Sequence, residues 1–415
     1  MNRTFNTDGY CDPELNYMVD LSSRLKEIKA MVDAEKYFTI NRARQYGKTT
    51  ILTALADYLK KDYDVISLDS QMMSALSFES EQTFVAAFSE ELLDAVDEFP
   101  EGIKERLESF VNGTARINSL QALFKGLQMW CSKADRKIVM IIDEVDTASN
   151  NQVFLDFLAQ LRAYYLKRRR THTFQSVILA GVYDVRNMIR KIRPDEVHKT
   201  NSPWNISAKF RIDMSFDAEE IAGMLEKYEA DYQVGMNVKE ISELIYDYSS
   251  GYPYLASALC KYVDEEIAGT SLFPDKKTAW TKAGVLEAVK RLLSEKNSLF
   301  DSLIGRLKEY PELKDMICLL LFQGQVIAYN ADDQATDMLL MFGFVRVEHE
   351  TIQIANRIFE TRLYNYFLTL PEIQSGDMYR LALRNKNQFI QNGRLYKTMP
   401  EFINHTECGG KKWDI

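Results

Sequence analysis

Lys48 and Thr49, directly after Gly47, and the adjacent carboxylates Asp143 and Glu144 are the residues whose types and spacing could do chemistry. The stretch from Tyr37 to Leu59, YFTINRARQYGKTTILTALADYL, reads as a short apolar strand, a basic loop and an amphipathic helix with Ile51, Leu52, Leu55 and Leu59 on its apolar side. Such a junction captures anions, because unpaired N–H groups and the helix dipole at a helix N-terminus both favour negative charge. Lys48 would meet the β- and γ-phosphates of a nucleotide as a point charge, and the Thr49 hydroxyl would ligate magnesium. Gly47 lets the backbone approach phosphate with no Cβ in the way. Arg42, Arg44, Gln45, Tyr46 and Thr50 are the remaining candidate nucleotide contacts of this loop. In the pattern G-x-x-x-x-G-K-[ST] the first glycine falls on Arg42, which leaves two readings open: a Cβ that alters the first turn, or an added phosphate contact.

The second constellation is KIVMIIDEVD, Lys137 to Asp146. Five consecutive apolar residues, Ile138 to Ile142, suit a strand buried on both faces of a parallel sheet. The carboxylates at its end have the Walker B arrangement. Asp143 would hold magnesium through a water, and Glu144 would polarise an attacking water. Taken alone, the same pattern is a strand that ends in an acidic turn.

These residues need a sheet to position them. DYDVISLD (62–69) and FQSVILAG (174–181) read as further core strands, and residues 79–131 as a mostly helical insertion broken near Pro100 and Asn112-Gly113. The C-terminal edge of the latter strand would lie at the ligand mouth of an open α/β sheet, which makes Tyr183 and Asp184 candidates for sensing the γ-phosphate. A helix over about Gln152 to Leu166 ends in Lys167-Arg168-Arg169-Arg170. Four cations there offset the helix dipole, or they contact a nucleic acid or protein partner. Residues 191–210 form a polar, proline-punctuated exposed loop, and FRIDMSF (210–216) alternates as a strand. Arg193 and Arg211 are γ-phosphate or subunit-contact candidates, with a structural ion pair as the plain alternative.

Composition sets the frame. A chain of 415 residues exceeds one ordinary core, and 46% hydrophobic with 27% charged residues is ordinary for a globular protein. A formal charge of −9 argues against a wholly basic nucleic-acid coat but leaves room for one basic face. Five scattered cysteines without ligand spacing read as reduced thiols. Neither an apolar run of about 18 residues nor an apolar N-terminal signal core is present, so the expectation is a cytoplasmic protein without a membrane span.

The expected fold is α/β: an N-terminal lead and helix (1–35, the first residues polar and loose), a phosphate-loop core with a parallel sheet (36–216), a helical lid (217–270), a winged-helix-like domain (271–370) and a C-terminal linker or tail (371–415). In the lid, Gly251-Tyr252-Pro253 opens a helix, the glycine making the turn and the proline pre-setting the first helical position. The last domain rests on three helical patterns followed by MLLMFGFVRVEHETIQIAN, whose FVRVE and TIQIA alternate like a hairpin, and on NRIFETRLYNYFL as a closing helix.

The chain resembles bacterial AAA-like ATPases close to the archaeal-ATPase and STAND branches, over about residues 10–395. The carriers are NRARQYGKTT, IVMIIDEVD, VILAGVYDV, the SPWNI loop, GYPYLASAL and NRIFETRLY. The resemblance implies ATP and Mg2+ as cofactors, a GYP lid (Tyr252, Pro253) resting on adenine, and an ATP-hydrolysing switch that drives the winged-helix-like domain. It also makes the NRxRxYGKT loop, Arg42 included, a trait of such proteins. Relatives of this type often continue past NKNQF into a PD-(D/E)XK-like nuclease domain, whereas here Leu395 is followed by twenty residues without a D…E-x-K pair, so nuclease activity is not expected. The alternative is a nucleotide-gated DNA- or protein-binding regulator with negligible hydrolysis. A third reading is a transposition-type ATPase that assembles on DNA as a homo-oligomer, with an arginine supplied across the subunit interface.

Overall fold

The computed structural model describes residues 3–148, 151–182, 204–322, 326–330, 332–371, 390–391 and 394–395. Strands β1 (Phe38–Asn41), β2 (Asp64–Asp69), β3 (Ile138–Asp143) and β4 (Ser176–Gly181) form a parallel sheet in the order β1-β4-β3-β2. Strand β3 is central, with Ile141 opposite Ile178 on β4 and Ser67 on β2. Its unbroken apolar run follows from burial on both faces. Val139 and Ile141 pack with helices α1 (Ser22–Asp33) and α2 (Lys48–Leu59), while Ile138, Met140 and Ile142 face the opposite layer. That layer is built by α3 (Glu81–Ala95), α4 (Ile103–Val111), α5 (Leu120–Lys133) and α7 (Gln152–Leu166), with the short α6 (Val145–Ala148) between β3 and α7. Burial of each such side chain contributes roughly 1.5–3 kcal/mol, so the register of β3 is strongly fixed.

Residues 210–216 depart from the strand expected there. One bridge just before it, Phe38 to Ala208, ties the chain to β1, and the Ala208 amide donates to Tyr37 O at 2.8 Å. Beyond it, arginine side chains take the carbonyls that a ladder would use. Arg42 Nη2 donates to Ile212 O (2.7 Å), while Arg24 Nε and Nη2 donate to Asp213 O (2.8 Å) and Ser215 O (2.6 Å). Ile212 and Met214 still bury against the α1–α2 layer, so the alternation visible in the sequence is real although the ladder is not.

The rest of the chain is largely helical: α8 (Ala218–Tyr232), α9 (Val238–Ser249), α10 (Pro253–Lys261), a π-helical turn Tyr262–Ile267, α11 (Lys276–Ala279), α12 (Lys282–Ser294), α13 (Ser298–Glu309), α14 (Pro311–Phe322), α15 (Gln334–Met341) and α16 (Arg357–Phe367). Asp217 and Glu220 form a capping box at the start of α8. Glu220 also receives both Arg24 Nη groups (2.6 and 2.8 Å), which ties α8 to α1. Strands β5 (Ile327–Ala328), β6 (Val345–Glu348) and β7 (Thr351–Ile354) make an antiparallel sheet in the order β5-β7-β6. The β6–β7 hairpin turns on His349 (φ 48°) and Glu350 (φ 63°), the paired positive φ values that a two-residue turn needs to match strand twist. Within 371–415, Ile390–Gln391 pairs with Arg394–Leu395, and most of that segment lies outside the described residues.

The polar N-terminal lead is folded, not loose. Thr4 bridges Asn16, and Phe5 and Tyr17 are each 2% exposed. Their rings lie 5.4 and 5.3 Å from that of Tyr228, and Phe5 lies 5.7 Å from Trp280. Two aromatic anchors fix a stretch whose average composition is polar. Among the described residues no helix is long and apolar enough to cross a membrane, and Cys11, Cys131, Cys260 and Cys318 are free thiols.

Candidate functional site

The loop between β1 and α2 is set by two residues in the left-handed region, Gln45 (φ 57°) and Gly47 (φ 75°). Gly47 caps α2, and only 3.9 Å separates the place of a Cβ there from Pro253 Cβ. Lys48 is 7% exposed, and its Nζ donates to the loop carbonyls of Arg42 (3.1 Å) and Ala43 (3.2 Å). Burial pushes its ammonium below the ordinary lysine range, and Glu144, Asp146 and Asp143 oppose that shift. The ammonium thus sits in a cradle of oxygen atoms, poised over a loop whose helix N-terminus favours an anion.

Across from it, β3 ends in a tight turn. Asp143 Oδ1 accepts the Glu144 amide at 2.8 Å, Glu144 adopts φ 49°, and its carbonyl accepts the Thr147 amide (3.1 Å) and hydroxyl (2.9 Å). A non-glycine residue in the left-handed region stores backbone strain, here at the carboxylate the sequence singles out. Burial pushes both carboxyls above their ordinary values; Glu144's own amide and then Lys48 counter the shift at Asp143, and Lys48 counters it at Glu144.

A cavity of about 470 Å3 lies between these two turns. Arg44, Gln45, Tyr46, Gly47, Lys48, Thr49 and Thr50 form its loop side, and Glu144, Asp146 and Pro253 also line it. Thr50 Oγ1 accepts the Cys11 amide at 3.2 Å, so the N-terminal lead closes one wall. Arg42 turns away: its Nη1 donates to Asn41 O (2.9 Å), its Nη2 to Ile212 O, and its guanidinium lies 5.3 Å from the Phe210 ring. Of the two roles open for Arg42, this geometry matches a turn-building residue. Tyr252 lies behind the loop, with its hydroxyl donating to Arg44 O and its ring 4.6 Å from that of Tyr46. Arg211 is exposed and stands off the cavity wall. Tyr183, Asp184 and Arg193 lie outside the described residues.

Three features of the site were not read from the sequence. Asp146, the last residue of DEVD, lines the cavity, and its Oδ2 accepts the Val182 amide at 2.5 Å, which latches the end of β4 to the carboxylate turn. Gly181 makes room for that latch: a Cβ there would stand 2.8 Å from Asp146 Oδ1. The spacing DEVD, two residues past Glu144, was the available signal. Second, α13 and the segment after α15 reach the site: Leu299, Arg306 and Phe342 line the cavity, and Gln45 Nε2 donates to Ser298 Oγ at 3.1 Å. A Cβ on Gly343 would lie 2.7 Å from Ala43 Cβ. Third, the amide of Cys11 caps Thr50. No local pattern announces contacts made across so long a stretch of chain.

Thr49 and Asp143 are hard oxygen donors of the kind Mg2+ takes, and Lys48 with the helix N-terminus supplies the positive pole a phosphate group needs. The residues present fit both groups.

Similar folds occur among solved structures. A Walker-type ATPase of Pyrococcus abyssi superposes with a TM-score of 0.53 at 13% identity, covering 86% of this chain and 99% of that one. The ORC2 protein of Aeropyrum pernix, solved in ADPNP–ADP complexes, gives 0.48 at 13% identity over 88% of this chain and 93% of its own. The RuvB Holliday junction branch migration motor of Thermotoga maritima gives 0.40 at 13% identity over 81% and 92%. No curated protein matches the chain. A family model for an AAA-like domain matches residues 25–368. Because that match runs from within α1 to the end of α16, and so takes in the sheet, the phosphate-loop turn and the helices beyond them, the chain belongs to the AAA-like domain family.

Proposed function

We propose that the protein is an ATP-binding, Mg2+-dependent ATP-hydrolysing switch of the AAA/STAND type. The observation that carries this reading is the pairing, across one cavity, of a buried Lys48 at a helix N-terminus with the strained turn at Glu144, directly after Asp143. Backbone N–H groups of the loop and Lys48 would hold the phosphates and stabilise charge on the transferring phosphoryl group. Thr49 and Asp143 would hold magnesium, which supplies charge neutralisation between the phosphates when bound. Glu144 would orient and deprotonate the attacking water, a role that its raised affinity for a proton suits. Arg44, Gln45, Tyr46 and Thr50 shape the loop side of the cavity, and Pro253, at the start of α10, bears on the base.

In this reading α8 to α10 (within 217–270) form the lid, and α11 to α16 with β5 to β7 (within 271–370) form the winged-helix-like domain, the part that would meet DNA or a protein partner. Its contacts with the phosphate loop, Ser298 to Gln45 and Gly343 beside Ala43, are the coupling route. Those same contacts favour one alternative, a nucleotide-gated regulator with negligible hydrolysis, since they hold the loop from outside the sheet.

The test is to identify the nucleotide that co-purifies and then measure Mg2+-dependent ATP turnover for wild type and Glu144→Gln. Bound nucleotide with turnover that collapses in the variant is the expected result. Bound nucleotide with no turnover in either protein selects the gated regulator, and absence of both refutes nucleotide chemistry here.

A further inference from the structure

The basic run after α7 does more than end a helix. The end of α7, the residue before β3 and the turn before β1 border a half-open concavity of about 270 Å3 at the amino end of the parallel sheet. It is lined by Lys137, Arg168, Arg169, Arg170, His172 and Glu35, four permanent cations against one carboxylate, in a chain whose net charge is −9.

The floor is rigid. Gln175 Nε2 donates to Val32 O (2.9 Å), Ser176 Oγ to Lys36 O (2.6 Å), and Tyr37, 1% exposed, bonds Phe174 O through its hydroxyl (3.2 Å). Arg168 is fixed in place: its guanidinium lies 4.0 Å from the Tyr165 ring, Nη1 donates to Tyr165 O (3.1 Å), and Glu35 is 3.9 Å from its Nε. That Nε is shielded from water and makes no hydrogen bond. Lys137, Arg169 and Arg170 form no ion pair with a described residue, and all three are exposed. Helix-dipole compensation needs cations near the last carbonyls; it does not need four of them around a concavity.

We propose that this cavity is a polyanion site that takes the phosphodiester backbone of a nucleic acid. Guanidinium forks match phosphate oxygens in two-pronged geometry, a contact that the exposed Arg169 and Arg170 can make beside the anchored Arg168. A concave site suits a phosphate and its sugar better than a flat bilayer surface. Beyond Lys137 the positive charge is compensated, Arg136 by Asp64 (3.8 Å) and Lys60 by Asp57 (2.8 Å), so among these described residues the unpaired cations are confined to the concavity. Because the whole chain is acidic, the attraction is local and screened within about 10 Å at 0.1 M salt. The site stands at the opposite end of the strands from the phosphate loop, so the proposal does not depend on the ATPase reading.

The experiment is anisotropy of a labelled DNA duplex of about 20 base pairs against the full-length protein over a salt series. Expected is a log–log salt slope of roughly −3, from three to four phosphate contacts. Arg169→Glu/Arg170→Glu should weaken binding by at least about 30-fold, the neutral Arg169→Gln/Arg170→Gln pair by less, and Lys137→Ala should flatten the slope by about one. Thermal melts and nucleotide binding of all variants should match wild type. Unchanged duplex binding in the charge-reversed pair overturns the proposal. So does equal competition by inorganic phosphate at matched ionic strength, which would mark a single-anion site, or equally variant-sensitive binding to phosphatidylserine vesicles, which would mark a membrane surface.

Discussion

The two ends of the parallel sheet handle positive charge in opposite ways. At the carboxyl end Lys48 is buried, held by loop carbonyls and surrounded by Glu144, Asp146 and Asp143. At the amino end Lys137, Arg169 and Arg170 stand exposed, opposed by Glu35 alone in their cavity. A buried cation among carboxylates binds an anion only when the site's own acids are also satisfied, by a metal ion or by protons, so it discriminates. An exposed cluster in high dielectric attracts any polyanion and loses that attraction to salt. Six-residue strands separate the two ends by about 20 Å, enough to let each be altered alone.

The comparison breaks most sharply at Lys48. Lys48→Ala should abolish tight nucleotide binding, a loss of 100-fold or more on the order of one buried charged contact, while duplex binding at the amino end stays at wild-type level. Equilibrium titration with a fluorescent ATP analogue reads the first and anisotropy the second. Glu144→Gln comes next. It should keep nucleotide affinity and lower turnover by about 10²- to 10⁴-fold, the usual worth of a positioned base; wild-type rates would remove Glu144 from the mechanism.

Gly181→Ala sharpens the carboxyl end. Its Cβ would meet Asp146 Oδ1 at 2.8 Å and Val145 Cγ2 at 3.0 Å, so a loss of roughly 1–3 kcal/mol in denaturant melts is expected. Asp146→Asn keeps the shape but weakens the latch to Val182, and should lower kcat more than it raises KM. A change in KM alone would make Asp146 a binding residue instead.

pH separates the two ends as well. Burial raises the Asp143 and Glu144 carboxyls above their ordinary values. Stability from such groups is complete below their unfolded values, about 3.9 and 4.3, and is lost as pH rises through the raised folded values. Thermal melts of nucleotide-free protein should therefore show a stability loss on raising pH through that window, which Glu144→Gln reduces. Turnover should fall on acidification at a higher pH than an ordinary glutamate would give. Guanidinium groups keep their charge across the same range, so duplex binding at the amino end should respond to pH less than turnover does. The smallest effect is expected from Tyr252→Phe, which removes one hydrogen bond to Arg44 O and should cost about 0.5–1.5 kcal/mol in melts.

Much of the carboxyl end was legible because its chemistry is local. GKT after an apolar run, and DE after IVMII, place a lysine and two carboxylates on strand ends wherever a parallel sheet forms. Asp146 was in plain view, but its partner amide on Val182 belongs to another strand. The N-terminal lead reads as loose because Phe5 and Tyr17 find their ring partners in α8 and beside α12, far along the chain. The strand expected over residues 210–216 was half right: alternation predicts which side chains bury, and does not predict that Arg24 and Arg42 will occupy the carbonyls.

By itself the sequence determined the periodic elements, the strand–loop–helix junction at Gly47-Lys48 and the acidic strand end at Asp143-Glu144, since each follows from neighbours within a few residues. Tertiary structure alone decided that Arg42 faces away from the cavity, that Ser298 and Gly343 bear on the phosphate loop, and that the cations of residues 168–170 gather with Lys137 around a concavity. Those outcomes depend on which distant carbonyls, rings and strand ends come within reach, and a linear pattern does not encode reach.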